Sequence, residues 1–262
     1  MNEFNYLKKI IDMDKMHTQR LDFKYQNFCR YSDIMTYQYN RVMINSKNGY
    51  INASWVHMPY IKCFIATQGP LNSTIEDFWE MCFHYNVNII VMLCNLIENG
   101  REKCANYWEA NLRKYKLIKT GNENLIVDGL IIRNFQIVDK TSHNYKNIMQ
   151  IHLTTWDDHT APISNYNKIK FMIDLIDRNK KNSPVVVHCS AGVGRTGTFI
   201  SLYNLYHEII GQINNKFTRE IKFSILNLVR KLKEMRLNLV ENEVQYIFLY
   251  EFVITLLNEK NV

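Results

Sequence analysis

Cys189 and Arg195 stand with five residues between them in the string HCSAGVGRTG (188–197), and all five are small. A loop of that length curls so that the successive N–H groups of Ser190, Ala191, Gly192, Val193 and Gly194 point into one concavity. Such a concavity is an anion nest, reinforced when a helix N-terminus stands behind it. Gly192 and Gly194 are expected to supply backbone angles that other residues resist. Arg195 closes the ring with a planar fork suited to two oxygens of a phosphate-like group. Cys189, at the foot of the cup, meets electropositive surroundings that favour a sulfur anion, the nucleophilic form. The chemistry that fits this spacing is attack by sulfur on a phosphate ester. A structural thiol ahead of a helix explains a cysteine here, but not the histidine, glycines and arginine at these offsets. Neither GxSxG nor GxxxxGK[ST] occurs in the chain.

The flanking residues show what must hold this loop. VVVH (185–188) is short and β-branched, as a buried strand is. After the loop, Phe199, Leu202, Leu205, Tyr206 and Ile209 recur at helical spacing, with Gly211 as the expected C-cap. IIVMLCN (89–95) reads as a central strand and NLIVDGLIIRNFQIVD (124–139) as a hairpin turning near Asp128-Gly129. MQIHLTTW (149–156) alternates and leads into a loop. Residues 74–86 read as a helix with Thr74 as its cap, and 223–236 and 243–258 as two more. The last is apolar almost all round, which predicts burial. Residues 1–25 read as one or two amphipathic helices ahead of the core. Strands mixed with long helices indicate an α/β or α+β domain around one sheet.

Composition sets wider limits. The chain has 262 residues, 47% apolar and 22% charged, with a net charge of +7. The length suits one large domain, and the charge favours anionic partners. None of the six cysteines (29, 63, 82, 94, 104 and 189) forms a CxxC pair, which argues against zinc. Isolated cysteines fit a reducing compartment, so cytoplasm is expected. No signal peptide is read at the N-terminus, and no apolar run reaches the ~20 residues of a membrane span.

With these residues in view, the string 188–197 resembles the signature loop of the cysteine-dependent phosphatases. YINAS (50–54), FIATQGPL (64–71), DFW (77–79), GREKCANYW (100–108) and QYIF (245–248) narrow the resemblance to the tyrosine-specific protein phosphatases. It runs from about residue 25 to 253. The Asn-rich composition also resembles that of phosphatases carried by polydnaviruses of parasitoid wasps, which would put the chain in a host cytoplasm. The family resemblance implies an α/β fold: a single catalytic domain over 1–262, with 1–25 as a helical extension, whose central, highly twisted mixed sheet is flanked by helices on both faces. It implies phosphotyrosyl proteins as partners, nucleic acid as none, and no metal or organic cofactor. It sets no oligomeric state.

The resemblance also implies roles. Asp158, on a mobile loop opened by Trp156, would protonate the leaving tyrosine oxygen. Tyr31 would stack on the substrate ring in a slot too deep for phosphoserine, and Asp33 would bond the substrate main chain. Glu98 would steady Arg195, Lys103 would sit near the mobile loop, and His188 would orient the signature loop. Thr196 would stabilise the departing thiolate. Gln245 and Glu241 would place the hydrolytic water.

Two departures stand out. Asp157 replaces the proline usual before the acid, which is expected to free the open loop and to raise the proton affinity of the carboxyl pair. Glu241 replaces the usual glutamine and is expected to slow cleavage of the phosphocysteine. Phe28-Cys29 replaces Lys-Asn and is expected to alter the slot entrance. These departures keep a second reading open, a weakly catalytic phosphotyrosine-binding protein. A third is an RNA 5′-end phosphatase, against which Tyr31, Asp33 and the YINAS and TQGP strings argue.

Overall fold

The computed structural model describes residues 3–14, 23–46, 48–215 and 220–260. Its elements in chain order are α1 (Glu3–Asp14), β1 (Ala53–Met58), β2 (Ile61–Thr67), α2 (Ile75–His84), β3 (Ile89–Met92), β4 (Ile97–Glu98), β5 (Arg101–Glu102), β6 (Tyr115–Lys119), β7 (Asn124–Val127), β8 (Leu130–Asp139), β9 (Tyr145–Leu153), α3 (Tyr166–Asn179), β10 (Val185–His188), α4 (Gly194–Asn214), α5 (Ile225–Met235) and α6 (Glu243–Glu259). Eight strands form one mixed sheet in the order β1-β2-β10-β3-β9-β8-β6, with β7 also on β8. β4 and β5 make a separate two-stranded ribbon. This is the α/β architecture expected, a twisted central sheet with helices on both faces.

The three central pairings, β2-β10, β10-β3 and β3-β9, are parallel, and the outer ones are antiparallel. Parallel strands need cover on both faces, and every residue of β3 and β10 is buried. Each valine of β10 contributes roughly 1.5–3 kcal/mol by leaving water. In register, His188 lies beside Met92, and Met92 beside His152. The three strands therefore stop side by side. The segments that follow them, 189–193, 93–98 and 154–160, meet at one edge of the sheet, where open α/β sheets gather their ligand contacts.

Several local expectations need correction. Gly211 is inside α4, which continues to Asn214, so it caps nothing. Thr74 lacks a side-chain cap bond; its hydroxyl instead accepts from the Leu71 N–H at 3.0 Å. α6 is not buried all round, since Val244, Ile247 and Ile254 are exposed along one side. Of the N-terminal stretch, α1 packs Phe4 and Leu7 into the core, with the Phe4 ring 5.7 Å from that of Tyr246. The remainder of that reading, at 15–22, lies outside the described residues.

Candidate active site

The segment after β10 turns its carbonyls outward, and each is held there. Cys189 O faces His188 Nδ1 at 3.2 Å, and Ser190 O accepts the Gly69 N–H at 2.9 Å. Buried Arg236 donates to Ala191 O at 3.1 Å and to Gly192 O at 2.8 Å. Val193 O accepts from the N–H groups of Gly197 and Val240. A peptide whose oxygen is held outward presents its neighbouring N–H inward. Among the described residues, no amide of 190–193 donates to a protein group. The cup is thus lined by free donors, with the first turn of α4 behind it. Cys189 is 4% exposed at its floor, and the Thr196 hydroxyl donates to its sulfur at 3.2 Å.

Gly192 takes the left-handed backbone expected of it, with φ +72°, and a Cβ there would come within 2.1 Å of Thr67 O. Gly194 does not, because the backbone is already entering α4. Space is what its position demands: a Cβ would come 2.7 Å from Glu241 Oε2.

Arg195 is 2% exposed and reaches across from α4. Glu98 grips it at both ends, at 2.7 and 2.9 Å. Burial works against the charge, but the Glu98 hydrogen bonds more than offset it and hold the guanidinium protonated. The same guanidinium donates to Trp156 O at 2.8 Å and to Asp158 Oδ1 at 3.1 Å. The 156–160 loop is therefore closed onto Arg195. Buried Trp156 anchors it, donating Nε1 to Thr160 O at 3.0 Å. Lys103 pairs with the other oxygen of Asp158. Burial pushes the Asp158 carboxyl up, but the bond from Lys103 and the nearby charges of Arg195 and His159 win, leaving it below the usual carboxylate range. That corrects the expected rise in proton affinity. Asp157 is exposed and sits outside this cluster, while Asp158 faces cations.

Tyr31 stands over the cup, its hydroxyl 2.9 Å from Ser190 Oγ. Asp33 is exposed at the rim of a cavity of about 390 Å³ that Cys189, Asp158 and Gln245 also line. Gln68 and Arg30 hold Tyr31 in place: the Arg30 N–H donates to Gln68 Oε1 at 2.8 Å, and the Arg30 side chain donates to Gly69 O and Pro70 O. Phe28 and Cys29 do not line the cavity themselves, though the Phe28 carbonyl accepts from Gln68 Nε2 at 2.9 Å. The Phe28 ring is 6.4 Å from Tyr50, and the Cys29 sulfur accepts from Asn52 at 3.2 Å.

The entrance to α6 forms the opposite wall. Gln245 Oε1 accepts the Glu241 N–H at 3.0 Å. Burial pushes the Glu241 carboxyl up, and Asp158 adds to this against the cations nearby. His159 stands between the two acids, 3.6 Å from an oxygen of each, and its carbonyl accepts from Asn242 at 3.0 Å.

Two buried histidines back the site. Burial pushes His188 down to about 3 and His152 down to about 4, from 6.5. The folded chain keeps both neutral while the unfolded chain protonates them below about 6.5. Acid therefore favours unfolding, by about 1.4 kcal/mol per pH unit for each histidine. The loss runs from pH 6.5 down to about 4 for His152 and about 3 for His188. Urea unfolding at pH 7 and pH 5 should differ by about 3–4 kcal/mol. Equal values at the two pH points would contradict buried neutral imidazoles.

All seventeen side chains and loop positions singled out from sequence converge on this one edge. Three groups that the sequence did not single out serve it: Arg236, which holds two loop carbonyls, Tyr107, whose hydroxyl is 2.9 Å from His188 Nε2, and His159. Tyr107 lies in the GREKCANYW string and was findable there. Arg236, a lone arginine ending an amphipathic helix, carries no such signal.

Comparison with known proteins gives the same answer. The protein-tyrosine phosphatase family model matches residues 25–255. Human tyrosine-protein phosphatase non-receptor type 20 is 36% identical over 239 residues, 88% of this chain and 54% of that protein. Tyrosine-protein phosphatase 2 of Dictyostelium discoideum is 37% identical over 207 residues, 77% of this chain and 53% of that protein. The chain thus spans about half the length of these relatives. Among solved structures, the catalytic domain of human protein tyrosine phosphatase non-receptor type 18 superposes with a TM-score of 0.87 at 25% identity, covering 97% of this chain and 94% of that one. The same phosphatase has been solved with HER2 phospho-peptides. Free loop amides over a buried thiol, a clamped arginine and a match across nearly the whole described chain leave one assignment: this chain belongs to the protein-tyrosine phosphatase family.

Proposed function

We propose that the chain hydrolyses phosphotyrosine in proteins through a phosphocysteine intermediate. The observation that carries this is the ring of outward-held carbonyls, which leaves the amides of 190–193 facing the Cys189 sulfur. The dianionic phosphoryl group takes those amides and the Arg195 fork. Cys189 attacks phosphorus, and the phosphorus–oxygen bond to tyrosine breaks. Asp158 gives its proton to the leaving phenolate. In the resting site Arg195 and Lys103 hold that carboxyl ionised; a bound dianion occupies Arg195 and its charge raises the proton affinity of Asp158. Water then attacks the phosphocysteine, with Asp158 as base, and Thr196 donates to the returning thiolate.

The depth of Cys189 beneath Tyr31 supports an aryl substrate, and Asp33 at the rim suits a peptide N–H. We read residues 1–262 as one catalytic domain acting on phosphotyrosyl proteins in the cytoplasm, with 1–25 as its extension. Phosphate release from a phosphotyrosyl peptide and from its phosphoseryl counterpart tests the reading. Turnover of the first alone is expected. Equal rates, or binding of the phosphotyrosyl peptide without release, would overturn it, the latter in favour of a binding module.

Glu241 bears on the second step. Its half-buried carboxyl can accept a hydrogen bond from water, but its charge repels the phosphoryl group; burial raises its proton affinity, which works against that charge without supplying an amide's donor. Glu241→Gln should raise the rate of phosphocysteine cleavage by about threefold to tenfold and shrink the phosphoenzyme burst seen on rapid quench. A burst of unchanged size removes this role.

A further inference from the structure

A chain of buried hydrogen bonds runs from the outer sheet to the nucleophile, and its directions are set by which groups can only donate. Arg133, on β8 and 5% exposed, is held by both oxygens of Glu123, at 2.8 and 3.0 Å, and its guanidinium lies 4.6 Å over the Trp108 ring. Its remaining nitrogen reaches Gln150 Oε1 at 2.9 Å and His152 Nδ1 at 3.1 Å. A guanidinium has no acceptor. Gln150 must therefore turn its oxygen to Arg133 and its amide nitrogen to Tyr107, whose hydroxyl it meets at 2.6 Å. Tyr107, accepting that hydrogen bond, donates its own hydrogen to His188 Nε2 at 2.9 Å, a nearer and stronger acceptor than Met92 Sδ at 3.8 Å. His188 then carries its proton on Nδ1, the only arrangement that lets it donate to Cys189 O. Along the other branch, His152 accepts from Arg133 at Nδ1, so its proton is on Nε2 and is donated to Cys94 O at 2.8 Å.

We propose that Arg133 and Gln150 are positioning residues that impose opposite tautomers on His188 and His152 and thereby orient both reacting groups. One branch ends on the carbonyl of the nucleophile itself. The other ends on Cys94, beside Asn95, whose N–H donates to Glu98 Oε1 at 2.9 Å, and Glu98 is the clamp on Arg195. Neither Arg133 nor Gln150 lines the substrate cavity. Their effect on rate rests on the phosphatase reading; the tautomers do not.

The test is Gln150→Glu. Beside Arg133 the new carboxylate stays ionised and only accepts, so Tyr107 must donate to it and His188 must donate from Nε2 to Tyr107. Nδ1 then faces Cys189 O without a proton. The ¹⁵N imidazole signals should show His188 on Nδ1 and His152 on Nε2 in the unaltered protein. In Gln150→Glu, His188 should move to Nε2 while His152 stays. Turnover of an aryl phosphate should fall about tenfold in kcat, with KM within about twofold. Arg133→Met should weaken the bias, so that a minor second tautomer appears for each histidine against the pull of Cys189 O and Cys94 O. A His188 proton on Nε2 in the unaltered protein, a variant that leaves His188 as it was, or a tautomer change without loss of kcat would each overturn the proposal. Absence of turnover in the unaltered protein would refute the phosphatase reading instead, and the tautomer pattern in the resting site would still decide this one.

Discussion

Cys189→Ser will retain phosphotyrosyl peptide and lose turnover, with kcat falling by about 10⁵-fold. The substitution exchanges a sulfur for an oxygen at a site 4% exposed, so the fold has little to lose. Every group that holds the oxyanion stays in place: the amides of 190–193, Arg195, and the carbonyl contacts from Gly69 and Arg236 that aim the loop. What disappears is the nucleophile. A serine hydroxyl ionises far less readily than a thiol, and Asp158 enters this step protonated, as the acid, so it does not take the serine proton. His188, the adjacent imidazole, points its nitrogens at Tyr107 and at a backbone carbonyl. Calorimetry should therefore find peptide affinity within about tenfold of the unaltered protein. A variant that keeps a tenth of the original rate would mean that sulfur does not attack phosphorus here.

Asp158→Asn should cost about 10²–10⁴-fold in kcat on a phosphotyrosyl peptide and much less on an aryl phosphate whose phenol leaves readily. The contrast follows from the role assigned to the carboxyl, because a nitrophenolate departs without a proton and tyrosine does not. The pH dependence carries a sign as well. In the complex, activity falls on the alkaline side as Asp158 loses its proton, and the asparagine variant should lack that limb. Lys103 lowers the proton affinity of Asp158, so Lys103→Ala should move the limb to higher pH. Equal losses on the two substrates would remove Asp158 from proton transfer. A limb that shifts downward in Lys103→Ala would contradict the ion pair between them.

How much of this was legible beforehand depended on distance along the chain. The cup is local: strand, loop and helix follow within thirty residues, and small residues between Cys189 and Arg195 carry the requirement. The strands β3 and β10 were legible for the same reason, since full burial writes itself as an unbroken apolar run. Glu98 and Lys103 were reachable only through family resemblance, because their partners lie 97 and 55 residues away and two isolated charges have no pattern. Arg236 was not reachable at all. Its partners are backbone carbonyls and the side chains of Asn52 and Ser54; those two fall in the YINAS string, but nothing in that string points to residue 236. Gly194 was identified for the wrong reason, as crowding by Glu241, from the segment ahead of α6, is invisible until that segment is in place. The electrostatics of Asp158 were misjudged likewise: adjacency in sequence suggested Asp157 as its neighbour, whereas the loop turns Asp158 toward Lys103 and Arg195 and leaves Asp157 in water.

Arg236 has a consequence for inhibition. Because it and Gly69 hold the loop open from outside, the receptacle needs no guest to assemble and an entering anion need not organise any backbone. A site so prepared discriminates poorly among small tetrahedral ions of like size. Orthophosphate released at the end of each cycle will compete with the next substrate, and sulfate in a purification buffer will do the same, so measured rates will depend on which salt the protein is kept in.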